Sequence, residues 1–320
     1  MYVTLNSNAS WRFSEEAFEN FARADAHASK EKPVISSVIL IIDGDIGDRK
    51  CVGGDYPFGN LSPLTNGTLA SGKPDHFYGA RPEQLNRQIC EDLSRHIVPS
   101  TQDDLPMVLN FFLEAKGPDG SLSVATRQAC YDGALGARGM HSLQTYRQDG
   151  PIYDNNMYTL TSTYHGGTLN LYTTHIKKSD DSDGRPEYIM TQLKGWSMTS
   201  DLETFRQGAS AYRNARDWAK EKRDEFIGMA NKRLSEACSQ HSSTSQNQAA
   251  SDLTPILNDS DGSTEPDEHQ DVQWSFAAPI EYGEEGPRGK KPRIRATESL
   301  GTVGDAASYT TGDKSPKLPN

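Results

Sequence analysis

Asn110-Phe111-Phe112-Leu113-Glu114-Ala115-Lys116-Gly117 ends an apolar run with an acid and a base two residues apart. Side chains alternate between the two faces of a strand, so Glu114 and Lys116 project to the same side. Together with Val108-Leu109 the run is nearly unbroken in apolar character, as expected of a strand covered on both faces. Charged groups in such a setting cost several kcal/mol unless they are paired or bound to a metal. A third charged residue stands upstream in Lys73-Pro74-Asp75, followed by the short aromatic run His76-Phe77-Tyr78.

Pro-Asp followed by Glu-x-Lys at the end of a hydrophobic strand resembles the PD-(D/E)XK nuclease superfamily. The resemblance implies an α/β fold of restriction-endonuclease type, a central mixed sheet flanked by helices. It implies that Asp75 and Glu114 ligate Mg²⁺ (or Mn²⁺), that the Ala115 carbonyl completes the shell, and that Lys116 orients an attacking water. The residue types suit that chemistry. Mg²⁺ prefers carboxylates and retained waters, lowers the pKa of bound water, and gains from a neighbouring ammonium as negative charge develops.

The context supports this pattern more than the motif alone. After Gly117-Pro118-Asp119-Gly120-Ser121 the spacing predicts a helix from about Leu122 to Tyr146. It carries Gln128 and Tyr131 three residues apart on one face. RecB-like nucleases carry a Gln and a Tyr four apart on the corresponding helix, so the agreement is with the superfamily more than with that subtype. By resemblance Gln128 holds the lysine or contacts phosphate, with Tyr131 beside it. Asp103 or Asp104 is a competing first acid, closer in sequence to Glu114. Each residue also has a plain reading: Asp75 a turn former, Glu114 and Lys116 a surface pair, Gln128 and Tyr131 a polar helix edge.

Further stretches resemble a family of fungal proteins of unknown function that is related to the same superfamily. They are Asp43–Asp48, Val52–Asn60, Tyr78–Glu83, Pro99–Pro106 and Arg127–Ala134, within a similarity over about residues 11 to 235. This resemblance implies a fold and a lineage, and leaves a catalytically inactive nucleic-acid- or protein-binding module as the alternative function.

The chain has 320 residues, 34% of them hydrophobic, and a mean hydropathy of −0.72. That is low for a chain folded throughout. The expected division is a nuclease-like domain over 1–238 and a disordered polar and acidic tail over 239–320, with a docking patch at Val272–Phe276. Within the tail, Arg288-Gly289-Lys290-Lys291-Pro292-Arg293-Ile294-Arg295 is a basic cluster suited to a nuclear import receptor or to nucleic acid. The net charge of −11 argues against broad non-specific nucleic-acid affinity, though not against a local basic face. The mixed charges of the last long helix read as a solvated face. Four scattered cysteines suggest reduced thiols rather than a zinc site or disulfide framework. Met1–Asn8 has neither the basic nor the apolar part of a signal peptide, and no apolar run is long enough to span a bilayer, so an intracellular protein is expected, nuclear where the basic cluster serves import.

Elsewhere Ser14 is expected to cap a first helix, whose Glu15, Glu16 and Glu19 are candidate acids toward the metal. Val34–Ile42, rich in β-branched residues, reads as the first core strand. Asp43–Asp48 reads as a turn, Gly44–Gly72 as an irregular wrap, and Pro82–His96 as an inserted helix. Met157–Tyr164 and Thr168–Ile176 form a hairpin about His165-Gly166-Gly167. Tyr188–Leu193 is a further strand, and Ser200-x-x-Glu203 a capping box opening the final helix. No serine-hydrolase or nucleotide-binding motif appears.

Overall fold

The computed structural model of the chain describes the backbone of residues 13–67, 69–102, 105–179, 184–246 and 295–297, and the side chains of these up to residue 239. The architecture is α/β: a mixed sheet with helices on both faces. Its strands are β1 (Val52–Gly53), β2 (His76–Ala80), β3 (Met107–Lys116), β4 (Thr159–His165), β5 (Thr168–Lys177) and β6 (Glu187–Ser197), and they lie in that order across the sheet. β2 is antiparallel to both β1 and β3, β4 is parallel to β3, and β4, β5 and β6 form an antiparallel meander. A short segment, β7 (Arg295–Thr297), runs parallel to β6 at Ile189–Thr191.

The apolar run that ends in Glu114 and Lys116 is β3, and every residue of it is buried. The parallel step from β3 to β4 needs a crossover, supplied by α6 (Leu122–Thr145). Its Ala125, Ala129, Gly133 and Gly136 lie close against the sheet; a Cβ on Gly133 would meet Thr174 at 2.5 Å. The opposite face is covered by α1 (Glu15–His27), by the helical run Glu31–Asp43, and by α7 (Leu202–Gln246). Phe21, Val38, Ile42, Phe111, Leu171, Phe205 and Tyr212 make the core there. The wholly buried Asn110 of β3 ties this layer to the sheet. Its Nδ2 donates to the carbonyls of Tyr158 and Ala219, and its Oδ1 accepts from Arg223 Nη1 at 2.6 Å.

Several sequence expectations are corrected. Val34–Ile42 is not a strand: α2 (Glu31–Pro33) passes into a π-helical stretch, Val34–Ile39, and then into α3 (Leu40–Asp43). Val34, Val38, Ile39 and Ile42 are buried while Ser36, Ser37 and Leu40 are exposed. That is helical spacing, and it overrides the β-branched composition. The Pro82–His96 segment is broken into a 3₁₀ turn at Pro82–Gln84, α4 (Arg87–Asp92) and α5 (Ser94–Ile97), because Leu85 and Asn86 are extended and Asn86 caps α4. The cap of α7 is Asp201 rather than Ser200, with Thr204 N–H donating to Asp201 Oδ1 at 2.8 Å. The supposed wrap at 44–72 contains a 3₁₀ turn at Arg49–Cys51 and β1.

Other expectations hold. Ser14 caps α1, accepting from Ala17 N–H; Asp45 and Asp48 accept from main-chain N–H groups in a turn. The β4–β5 hairpin turns on Gly166 and Gly167, both at positive φ. The α7 backbone stays helical to Gln246, past the expected boundary at 238. The basic cluster (Arg295 apart), the Val272–Phe276 patch and the alternative acids Asp103 and Asp104 lie outside the described residues. Cys51, Cys90, Cys130 and Cys238 form no disulfide among the described residues. Among the described residues no helix is long and apolar enough to cross a membrane.

Candidate active site

At its end β3 delivers Glu114 and Lys116 to the face that α6 covers. Asp75 immediately precedes β2, whose antiparallel pairing sets His76 opposite Leu113. The register brings Asp75 beside Ala115, whose N–H donates to Asp75 Oδ2 at 2.8 Å. Lys116 Nζ then lies 3.6 Å from Asp75 Oδ2 and 3.7 Å from Glu114 Oε2. The three charged groups picked from sequence therefore surround one point, although they come from two separate segments.

Two further acids join them, neither of which had been singled out. Glu31, first residue of α2, reaches Lys116 Nζ at 3.1 Å. This approach depends on Gly117, where a Cβ would meet the backbone of Lys30 and Glu31 at 2.8–2.9 Å. Asp132 projects from α6 toward Glu114 and is only 2% exposed. Gly72 packs on it, since a Cβ there would meet Asp132 Oδ1 at 2.8 Å. Asp132 lies one turn beyond Gln128, on the inner face of a helix otherwise lined by small residues. A lone acid among alanines and glycines was the available signal. Glu31 offered none, because an acid in a first helical turn is ordinary dipole compensation.

The electrostatics are those of a crowded acidic site. Glu114 is 1% exposed, and neither carboxylate oxygen has a hydrogen-bond partner among the described residues. Burial, then the Asp132 and Asp75 carboxylates, push its pKa well above the usual range. Burial likewise raises Asp132, which faces Glu114 closely enough for one proton to be shared between them. Asp75 is raised by burial against the opposing pull of the Ala115 N–H and Lys116. For Lys116 burial disfavours the charge, but Asp75, Glu31 and Glu114 outweigh it and the pKa is raised. The ammonium is thus the cation of this cluster as it stands.

Three of the sequence-selected groups hold other positions. The Ala115 carbonyl accepts from Lys116 Nζ at 2.9 Å, so it serves the ammonium. Gln128 is exposed on α6 and makes no hydrogen bond to Lys116 among the described residues. Tyr131 is half-buried against the Phe58–Leu135 cluster. A three-residue spacing put both near one side of the helix, one turn from Asp132, yet Gln128 points to solvent and Tyr131 to the apolar cluster rather than to the acids. Glu15, Glu16 and Glu19 form no part of the acidic site.

Among the described residues no group of three or more His, Cys, Asp or Glu side chains is arranged as a ready metal cage. The residues nevertheless fit a hard divalent cation of the Mg²⁺ kind, which keeps several waters and takes one or two carboxylates. The deciding observation is that both oxygens of buried Glu114 lack donors, beside two other carboxylates. No protein-family model, curated protein or solved structure matches this chain.

Proposed function

We propose that the chain is a Mg²⁺- or Mn²⁺-dependent phosphodiesterase of the PD-(D/E)XK nuclease type, acting on nucleic acid. The observation that carries this reading is the convergence of Asp75, Glu114 and Lys116 at one buried point, with the Glu114 oxygens unsatisfied. The mixed sheet supports it, since the acids leave neighbouring antiparallel strands and a helix follows the second.

A divalent cation bound there would supply a Lewis acid for a phosphoryl oxygen and acidify a coordinated water. Asp75 and Glu114 would hold it, with the Ala115 N–H fixing the Asp75 carboxylate. Lys116 orients the attacking water and offsets the charge that develops on the phosphoryl oxygens. Glu31, half-exposed at the rim, draws the ammonium outward, and Glu114 keeps a proton facing Asp132 that a bound cation would displace.

One observation favours a second reading. Lys116 already sits among the acids and occupies the Ala115 carbonyl, which is how a catalytically inactive binding module would neutralise the same cluster. Cleavage separates the two. Supercoiled plasmid and single-stranded DNA and RNA are incubated with the full chain and Mg²⁺ or Mn²⁺. Cleavage abolished by Glu114→Ala and Lys116→Ala is expected; wild-type cleavage by both variants would refute the catalytic assignment.

A further inference from the structure

The outward face of α6 contributes no acid of its own, although Asp154 accepts from Gln144 Nε2 near the end of the helix. The helix Leu122–Thr145 contains Arg127, Arg138 and His141, and its single acid, Asp132, points inward to the site. In a chain with 44 acids against 33 lysines and arginines, that segregation sets the surface apart. Arg127 is exposed and Arg138 half-buried.

Arg138 is the unusual member. Its Nε and Nη2 are buried and have no hydrogen-bond partner among the described residues. No carboxylate pairs with it there: burial lowers its pKa, the phenols of Tyr188 and Tyr131 are its counterweights, and Arg95 adds a like charge. A guanidinium left this way costs several kcal/mol unless something else satisfies it. Tyr131, two helical turns earlier and about 10 Å along the axis, adjoins Asp132 of the acidic site. Arg95 of α5 is exposed. A fork-shaped cation among half-buried tyrosines is the combination that binds single-stranded nucleic acid, phosphate by guanidinium and base by ring.

We infer that the Arg127–Tyr131–Arg138 face of α6, with Tyr188 and Arg95 beside it, binds the backbone and bases of a single-stranded nucleic acid leading into the acidic site. The choice of ligand rests on the phosphodiesterase reading. The surface itself is tested by binding alone. A duplex presents its phosphates on a rigid cylinder and keeps its bases stacked inside, so the tyrosines would have nothing to stack on. A single strand offers both.

The test is fluorescence anisotropy of a labelled single-stranded oligothymidylate with the full chain in EDTA, so that no probe is consumed. Arg138→Gln and Arg127→Gln should each weaken binding, by about tenfold for Arg138. Each should lower the salt slope of log K by about 0.7, the value for one phosphate contact on a single strand. Arg138→Lys should recover much of the loss, and thermal melting checks that each variant folds. Lys220→Gln removes the same charge from α7, where Lys220 pairs with Asp224, and should change nothing. The 288–295 segment is present in every protein, so its contribution cancels. Wild-type affinity and slope in folded Arg138→Gln would overturn the proposal, as would tighter binding of duplex or of polyglutamate. A chain that binds as described but cleaves nothing would sink the phosphodiesterase reading and leave this surface standing.

Discussion

Replacing Glu114 with Gln should stabilise the metal-free protein at alkaline pH, although it deletes an ion pair. The Glu114–Lys116 separation of 3.7 Å corresponds to an attraction on the order of 4 kcal/mol at an effective dielectric of about 20. Repulsion from the facing Asp132 opposes it. What remains is the desolvation of a carboxylate that is 1% exposed and the further repulsion from Asp75, so the net effect is unfavourable. The sign with pH follows from the raised pKa. The folded state holds the proton more tightly than the unfolded one, so this group's stabilisation is full below the unfolded carboxylate range. It is lost as pH rises through the folded value. Each unit of raised pKa corresponds to about 1.4 kcal/mol, and sharing with Asp132 reduces the total. We expect Glu114→Gln to gain about 2 kcal/mol at pH 8, roughly 4–8 °C in Tm for a domain of this size, and about nothing at pH 5. Urea and thermal unfolding in EDTA at both pH values measure it. A variant less stable than wild type at pH 8, or a difference independent of pH, would refute the reasoning.

Other consequences are direct. Gly117→Ala should push the Lys30–Glu31 backbone away and lengthen the Glu31–Lys116 contact, lowering cleavage several-fold while costing about 1 kcal/mol of stability, read by kinetics and melting. Because Glu114, Asp132 and Asp75 are all raised, metal-dependent cleavage should climb with pH from slightly acid to alkaline conditions; a flat profile would contradict the assignment. Asn110→Ala leaves buried Arg223 and two carbonyls without their partner and should cost roughly 3 kcal/mol in urea unfolding, with no pH dependence between 5 and 8.

Much of the candidate site was legible because strand chemistry is simple. A buried run ending in Glu-x-Lys must put both charges on one face, and Pro-Asp before the neighbouring strand is placed beside them by antiparallel register. The helical partners were harder to read. Gln128 and Tyr131 share a side of α6, but spacing alone does not say which side meets the sheet. The small residues at 125, 129, 133 and 136 do, and they point to Asp132. Val34–Ile42 was misread because a short apolar run is compatible with strand or helix. Its serines at 36 and 37 carried the helical phase, and composition outweighed them. Glu31 became visible only in three dimensions, through the absence of a side chain at Gly117.

The central claim is that acids from distant segments form one divalent-cation site. Calorimetric titration of Mn²⁺ into the full chain at pH 8, repeated in buffers of different ionisation enthalpy, tests it most directly. The account predicts saturable binding at one site, with proton release as the raised carboxylates ionise, and loss of both in Glu114→Gln. No binding, or equal binding by wild type and variant, would contradict it.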